Sequence, residues 1–374
     1  MIYKKFKDKE LSMLGMGCMR FPCDKEKNVD IKKTEEIIDF CIKNGVNYFD
    51  TAWFYHEGKS EEIIGKILKK YPRESFNIAT KLPGLDSLRT RKDVEDLFFG
   101  QLEKTGMEYF DFYLIHNVSE DTIDVFENPE LGVIDFLKEQ VKCGKIKHLG
   151  VSAHAELELL EEYLKKYSDI LEFCQIQLNW IDWSLQRANK KVELLNSYNI
   201  PIWVMEPVRG GKLAALNTED ECKLKKSRPD ESIASWSFRF LQGIENVVVV
   251  LSGMSDLEQV KDNIKTFSEE KPLNSEEKDI LFEIADNILS KKTLMCTNCR
   301  YCVDECPMEL EIPKLLSAYN RFCLTSNIAT REKIEEMTEN KKMPDDCIGC
   351  RACERKCPQN IKISEIMKDL SQKI

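Results

Sequence analysis

No stretch of this chain approaches the roughly 20 consecutive apolar residues that a membrane span requires, so no spanning helix is expected. The opening residues, Met1-Ile2-Tyr3-Lys4-Lys5-Phe6-Lys7, reach charge at once and contain no apolar core of a secretion signal. An excess of positive charge is missing too: 55 Lys and Arg face 65 Asp and Glu, a formal charge of −10. That balance disfavours a nucleic-acid partner, whose phosphates a basic surface would have to neutralise. Repeats at solenoid spacing are also absent. These lacks point to a cytoplasmic protein with neither a nucleic-acid partner nor a membrane span.

What the chain does have is a globular composition, 42% hydrophobic and 32% charged over 374 residues. Its acidity is uneven. From Lys291 onwards 15 basic residues balance 13 acidic ones, whereas the first 290 residues carry 40 against 52. Fifteen cysteines would mean disulfides in a small secreted chain, but this one is long and shows no export signal. Eight of them crowd into two short runs, a pattern of metal chemistry.

After a hairpin expected from Tyr3–Phe6 and Leu11–Leu14, short apolar runs alternate with amphipathic ones. Strands are expected at Gly15–Met19, Val46–Asp50, Phe76–Lys81, Phe112–His116, Ile146–Val151, Phe173–Leu178, Ile202–Met205 and Val247–Leu251. Helical spacing fills the gaps, as in Lys33–Lys43, Glu61–Lys70, Lys92–Thr105, Val133–Cys143, Leu157–Lys166, Leu185–Tyr198, Ile233–Leu241 and Leu257–Thr266. Eight alternations predict an α/β fold, a parallel (β/α)8 TIM barrel over residues 1–270. The competing open doubly wound sheet would carry a Gly-rich turn after its first strand, and Gly15-Met16-Gly17-Cys18-Met19 lacks the third glycine. A connecting helix is expected in 271–290, and a small, mainly helical cysteine module in 291–374.

The first cysteine run is Cys296, Cys299, Cys302 and Cys306-Pro307; the second is Cys347, Cys350, Cys353 and Cys357-Pro358. Both follow C-x2-C-x2-C-x3-C-P, the spacing of two-cluster [4Fe–4S] ferredoxins. Three cysteines at three-residue intervals let one tight loop turn three thiolates onto one cube, and the following proline carries the fourth away to the other. One cluster is therefore expected on Cys296, Cys299, Cys302 and Cys357, the other on Cys347, Cys350, Cys353 and Cys306. Structural zinc also takes C-x2-C pairs, but it would leave the third cysteine and the Cys-Pro ending of each run unused. The amphipathic segment Ile312–Phe322 between the runs favours a helical ferredoxin type over a strand-built one. Cys18, Cys23, Cys41, Cys143, Cys174, Cys222 and Cys323 have no ligand spacing and are expected as small buried residues.

Barrels place their working residues at the C-terminal ends of strands. Asp50 ends the second expected strand and Tyr55 follows in its loop; Lys81 ends the third and His116 the fourth. Asp50-Thr51-Ala52 with Tyr55, the run Gly58-Lys59-Ser60-Glu61-Glu62-Ile63-Ile64-Gly65, Lys81 and His116 together resemble the motifs of the aldo-keto reductase family. With the cysteine tail, the chain is similar to the subgroup that carries a C-terminal dicluster ferredoxin-type domain. The resemblance implies hydride transfer between NADPH or NADH and a small carbonyl or alcohol substrate. Tyr55 would be the general acid, with a Lys81 ammonium lowering its pKa, Asp50 fixing the lysine and His116 orienting the carbonyl oxygen.

The same resemblance implies a cofactor site. Ser152, Gln175 and Met205 would surround the nicotinamide, and Pro207, Gly210 and Gly211 would pass along the pyrophosphate. Ser252, Gly253, Gln259 and Asn263 would hold the adenosine end, where a helix N-terminus favours phosphate. NADPH-specific members carry a Lys and an Arg where this chain has Gly253 and Gln259, which leaves the choice of nicotinamide open; Arg209 or Lys212 would substitute in part. Trp53, Phe54, Trp180 and Trp183 are candidates for an apolar pocket lining. A hydride carries two electrons and each cluster accepts one, so a flavin normally mediates; no flavin motif is evident, and a flavin in the nicotinamide pocket is a speculative third cofactor. The alternative reading is an electron-transfer or redox-sensing protein, with a redox partner protein and a barrel that serves only as a binding scaffold.

Overall fold

A computed structural model describes residues 1–374 except 27, 86, 121, 293, 295, 297–299, 326–330, 339–340 and 358–360. The chain divides into two units, Met1–Ile280 and Leu281–Ile374, with the division inside a helix that runs from Ser275 to Lys292. Among the described residues no helix is long and apolar enough to cross a membrane.

The first unit opens with an antiparallel hairpin, β1 (Tyr3–Phe6) and β2 (Lys9–Ser12). Eight parallel strands follow: β3 (Leu14–Gly17), β4 (Tyr48–Asp50), β5 (Asn77–Pro83), β6 (Phe110–Val118), β7 (Ile146–Ala153), β8 (Phe173–Gln177), β9 (Ile202–Met205) and β10 (Val247–Ser252). Each pairs with its neighbours in chain order, and β10 returns to β3, so the sheet closes into a barrel. The first barrel strand ends earlier than its apolar run, because a 3-10 turn at Cys18–Arg20 takes over. The hairpin's second strand also lies further upstream, since its register pairs Tyr3 with Ser12 and Phe6 with Lys9.

The hairpin stops one end of the barrel. Phe6 is buried, its ring centroid 5.0 Å from Trp203 and 5.7 Å from Phe112, near the N-terminal ends of β9 and β6. Leu11, Tyr48, Phe173 and Val249 complete that core. Burying one such Phe stabilises the fold by about 1.5–3 kcal/mol.

Helices cover the outside, and their ends follow local chemistry. Thr90 and Asp93 form a reciprocal capping box for Arg91–Thr105, which ends on Gly106 at φ 64°. The expected helix Leu185–Tyr198 is two pieces, Asp182–Leu185 and Ala188–Ser197, because Arg187 between them sits at φ 52°. Gly65 lies where Ser60–Leu68 meets Arg91–Thr105. A Cβ there would stand 2.1 Å from the Thr105 carbonyl oxygen, so only glycine permits this approach.

The second unit is helical in its described residues: Tyr301–Asp304, Ile312–Thr325, Arg331–Met337, Ala352–Lys356 and Ile363–Ser371. Leu315, Leu316, Ile334, Ile363, Met367 and Leu370 form its core. Tyr319 donates to Asp369 at 2.6 Å and ties the longest of these helices to the last. Outside the two runs, Cys18, Cys41 and Cys174 are buried and Cys323 is half-buried. Cys23, Cys143 and Cys222 are exposed, so the expectation of burial fails for those three. Cys23 sits in an isolated bridge with Val29, Cys143 at a turn and Cys222 on a helix surface, positions that composition alone does not reveal.

Candidate active site and cluster-binding loops

Strand closure brings Asp50, at the end of β4, beside Lys81 in β5. The Lys81 ammonium donates to Asp50 Oδ1 at 2.5 Å and to the Thr51 carbonyl at 2.7 Å, and lies 3.4 Å from the Tyr55 hydroxyl. Lys81 and Asp50 are buried, while Tyr55 is half-buried. A tight loop holds the tyrosine in place. Ser60 N–H donates to the Tyr55 carbonyl at 3.2 Å, and Thr51 Oγ1 donates to Ser60 Oγ at 2.8 Å. Behind the lysine, Gln101 donates to the Lys81 carbonyl at 3.0 Å and to the buried Glu61 carboxylate at 2.6 Å.

Electrostatics separate the four groups. Burial pulls Lys81 towards the neutral amine, but Asp50 and the Tyr55 hydroxyl outweigh it and hold the ammonium above the ordinary lysine value. Burial raises the Tyr55 phenol; Lys81 pulls it down, Asp50 pushes it further up, and the net direction is upward. The sequence reading expected a lowered phenol, because the lysine is visible in sequence and the desolvation is not. His116, near the end of β6, falls well below the usual imidazole range through burial and the nearby Lys81 and His154 charges. Its Nδ1 is buried without a hydrogen-bond partner. Phe54, 55% exposed, has its ring centroid 6.5 Å from that imidazole.

On the opposite wall, His116 of β6 pairs in register with Ser152 of β7, and Ser152 with Gln175 of β8. The Ser152 hydroxyl and the Gln175 amide both face the Met205 sulfur, at 3.9 and 3.7 Å. Gln175 Oε1 is buried with no partner, an orphaned acceptor of the kind a carboxamide N–H would satisfy. These residues fit a nicotinamide.

After β9 the backbone takes left-handed conformations at Glu206, Arg209, Gly210 and Gly211, with Pro207 buried between them. Arg209 does not reach outward: its Nε lies 3.1 Å from the buried Asp182 carboxylate. The expected phosphate site at the helix Leu257–Phe267 is altered as well. Asp256 caps that helix by accepting from Gln259 N–H, and Gln259 Oε1 accepts from Ser255 N–H at 2.9 Å, so a carboxylate already faces the N-terminus. Asn263 donates to Ser252 at 3.0 Å in the interior.

Sequence reasoning missed Arg20. A Cβ on Gly253 would meet the Arg20 side chain at 3.1 Å, and Arg20 Nη2 lies 3.9 Å from Glu206 and close to Gly210. Its carbonyl accepts from Ser255 at 2.8 Å. Cation and glycine are more than 200 positions apart, and only the closure of β10 onto β3 joins them. Of the candidate pocket aromatics, Trp180 is buried and donates to Ser237 at 2.9 Å, which makes it core. Trp53 carries the Lys104 ammonium 3.6 Å from its ring, and Trp183 meets Phe240 edge-on at 5.5 Å.

In the second unit the two cysteine runs share a local design. Arg300 and Arg351, at φ 64° and 59°, turn the chain into short helices that hold Cys302 and Cys353, both buried. Cys306, Cys347, Cys350 and Cys353 line one small apolar pocket, walled also by Pro307, Leu310 and Ile363. Burial pushes the Cys353 thiol up to about 12, and Cys306 and Cys347 are its nearest thiol influences. Leu310 N–H donates to Cys306 Sγ at 3.4 Å. Four thiols around one apolar cavity, one of them from the other run, suit a cube with a separate iron for each cysteine. Of the other expected set, Cys302 is buried, Cys296 and Cys357 are half-buried, and Cys299 lies outside the described residues.

Comparison with known proteins gives matches to both units. The profile of the Aldo/keto reductase family matches residues 13–286, and that of a 4Fe-4S dicluster domain matches residues 295–361. The uncharacterized oxidoreductase YqkF of Bacillus subtilis is 26% identical over 288 residues, covering 69% of this chain and 88% of that protein. The NADH-specific methylglyoxal reductase of Escherichia coli is 26% identical over 232 residues, covering 57% of this chain and 68% of that one. Among solved structures, the holo form of aldo-keto reductase AKR11C1 from Bacillus halodurans aligns with a TM-score of 0.62 at 25% identity, over 76% of this chain and 96% of that one.

Proposed function

This chain belongs to the aldo/keto reductase family and is an oxidoreductase with a 4Fe–4S domain; from that premise we propose that it reduces a small aldehyde or ketone, or runs the reverse oxidation. The supporting observation is the buried Asp50–Lys81 pair at 2.5 Å with the Tyr55 hydroxyl 3.4 Å beyond it. A bound NAD(P)H supplies or accepts the hydride. Reduction builds negative charge on the substrate oxygen, and Tyr55 delivers a proton to it. Burial keeps that proton on the phenol at neutral pH, and the Lys81 charge, which opposes burial, stabilises the phenolate left behind when the proton goes to the substrate oxygen. Asp50 keeps the lysine charged and pointed at Tyr55. His116, held neutral by its surroundings, orients the oxygen by a hydrogen bond.

Ser152, Gln175 and Met205 form the nicotinamide wall, with the Gln175 acceptor available for the carboxamide. Pro207, Gly210, Gly211, Ser252, Gly253, Gln259 and Asn263 line the path for the rest of the cofactor. The eight cysteines of the two runs hold two [4Fe–4S] clusters, crossed so that Cys306 serves the second run and Cys357 the first. The test is Tyr55→Phe. Carbonyl turnover should fall by more than about a hundredfold, while nicotinamide binding, read by fluorescence titration, stays as in the wild type. Turnover within about tenfold of wild type would remove Tyr55 from the acid role.

A further inference from the structure

The segment Cys347–Arg351 lines the second-run pocket and also reaches solvent. Cys347 is half-buried, and Ile348, Gly349, Cys350 and Arg351 are exposed, with Ile348 at 64%. A Cβ on Gly349, at φ 69°, would meet nothing within 4 Å, so solvent alone lies over it. Electrons can pass between proteins only where a redox group comes near the surface, and this strip is such a place.

Of the acidic groups beside it, Asp345 is paired with Arg331 at 2.6 Å, Asp346 accepts from Met343 N–H at 2.7 Å and Glu354 accepts from Ser364 N–H at 2.9 Å. Arg351 and Arg355 are exposed and have no ion-pair partner among the described residues. At the positions matching Arg355 and Lys356 the first run has the opposite charges, Asp304 and Glu305, also exposed. Glu305 and Lys356 lie 3.6 Å apart and neutralise each other, which leaves Asp304 against Arg355, and Val303 against the Ser364-bonded Glu354, as the differences. One exposed edge is therefore basic with an apolar centre, in a chain whose total charge is −10.

We infer that the strip Cys347–Arg351, with Arg355, is the docking surface for a small acidic one-electron carrier protein. An apolar centre beside exposed, unpaired charges of one sign suits a transient interface, and such charges set partner choice and on-rate more than affinity. The carrier takes or gives one electron at the cluster behind Cys350, so the inference rests on the cluster assignment above. Ile348 packs against the carrier, and Arg351 and Arg355 face its carboxylates.

The test uses the full-length, oxidised, cluster-loaded protein, titrated calorimetrically with a purified acidic flavodoxin and with an acidic [2Fe–2S] ferredoxin. At least one should bind, and binding should weaken about tenfold or more between about 20 and 200 mM NaCl. Arg351→Glu with Arg355→Glu should weaken it by a further tenfold or so, whereas Arg351→Lys with Arg355→Lys stays within about twofold. Failure of both carriers to bind, a charge reversal without effect, or tighter binding of a basic cytochrome c would each overturn the proposal. Iron and sulfide analysis of the same samples separates the two readings. Wild-type protein without iron refutes the cluster assignment, while the titrations still decide the surface. If the double reversal loses iron, Arg355→Glu alone provides the comparison.

Discussion

Lys81 Nζ stands 2.5 Å from Asp50 Oδ1, and both side chains are closed off from solvent. Asp50 Oδ2 has no hydrogen-bond partner, so its charge is balanced through the lysine. Asp50→Asn should cost about 3–5 kcal/mol of stability in urea, because it strands a buried ammonium. Asp50→Asn combined with Lys81→Met should recover a large part of that loss and remain inactive. A double variant less stable than either single one would contradict a coupled pair.

The pH dependence of turnover has a definite sign. Tyr55 donates only while protonated, and its folded pKa is raised, with burial the largest cause. The active form therefore persists through neutral pH and is lost as pH rises beyond about 10. His116 is already neutral, so it adds no step near about 6.5. A profile of kcat for carbonyl reduction should stay level from weakly acid to mildly alkaline pH and then decline. An inflection near neutrality that disappears in His116→Asn would show that the imidazole titrates after all.

Along the proposed cofactor path, Arg20 places a cation beside Gly253. Arg20→Ala should raise the Kd for NADPH by about tenfold, roughly 1.4 kcal/mol, and raise that for NADH less. Fluorescence titration of both nicotinamides reads the difference. Equal losses would assign Arg20 to the pyrophosphate, and no loss would remove it from the site.

The proposed crossed ligation makes a stoichiometric prediction. Cys306→Ala deprives the Cys347, Cys350 and Cys353 set of its fourth ligand although it lies 41 positions before that run. Iron should fall from about eight to about four atoms per chain or lower, with loss of one cluster's signal in reduced-state paramagnetic resonance. Full iron retention would mean that each run serves itself.

The barrel was legible because its parallel strands are buried on both faces and read as apolar runs, as in Phe112–His116 and Val247–Leu251. The cysteine runs were legible because ligand spacing is a local property. Two kinds of feature were not. Burial dominates Tyr55, yet desolvation depends on everything packed around the phenol, from Cys18 to Lys81. Arg20 and Gly253 meet only through sheet closure, so neither residue's own surroundings in sequence announce the contact. The break at Arg187 belongs to the same class, since the apolar spacing of Leu185–Tyr198 continues through it.

With Phe6 and its hairpin packed against Trp203 and Phe112, the N-terminal end of the barrel is sealed by side chains, and the site at the opposite ends of the strands is the side open to ligands.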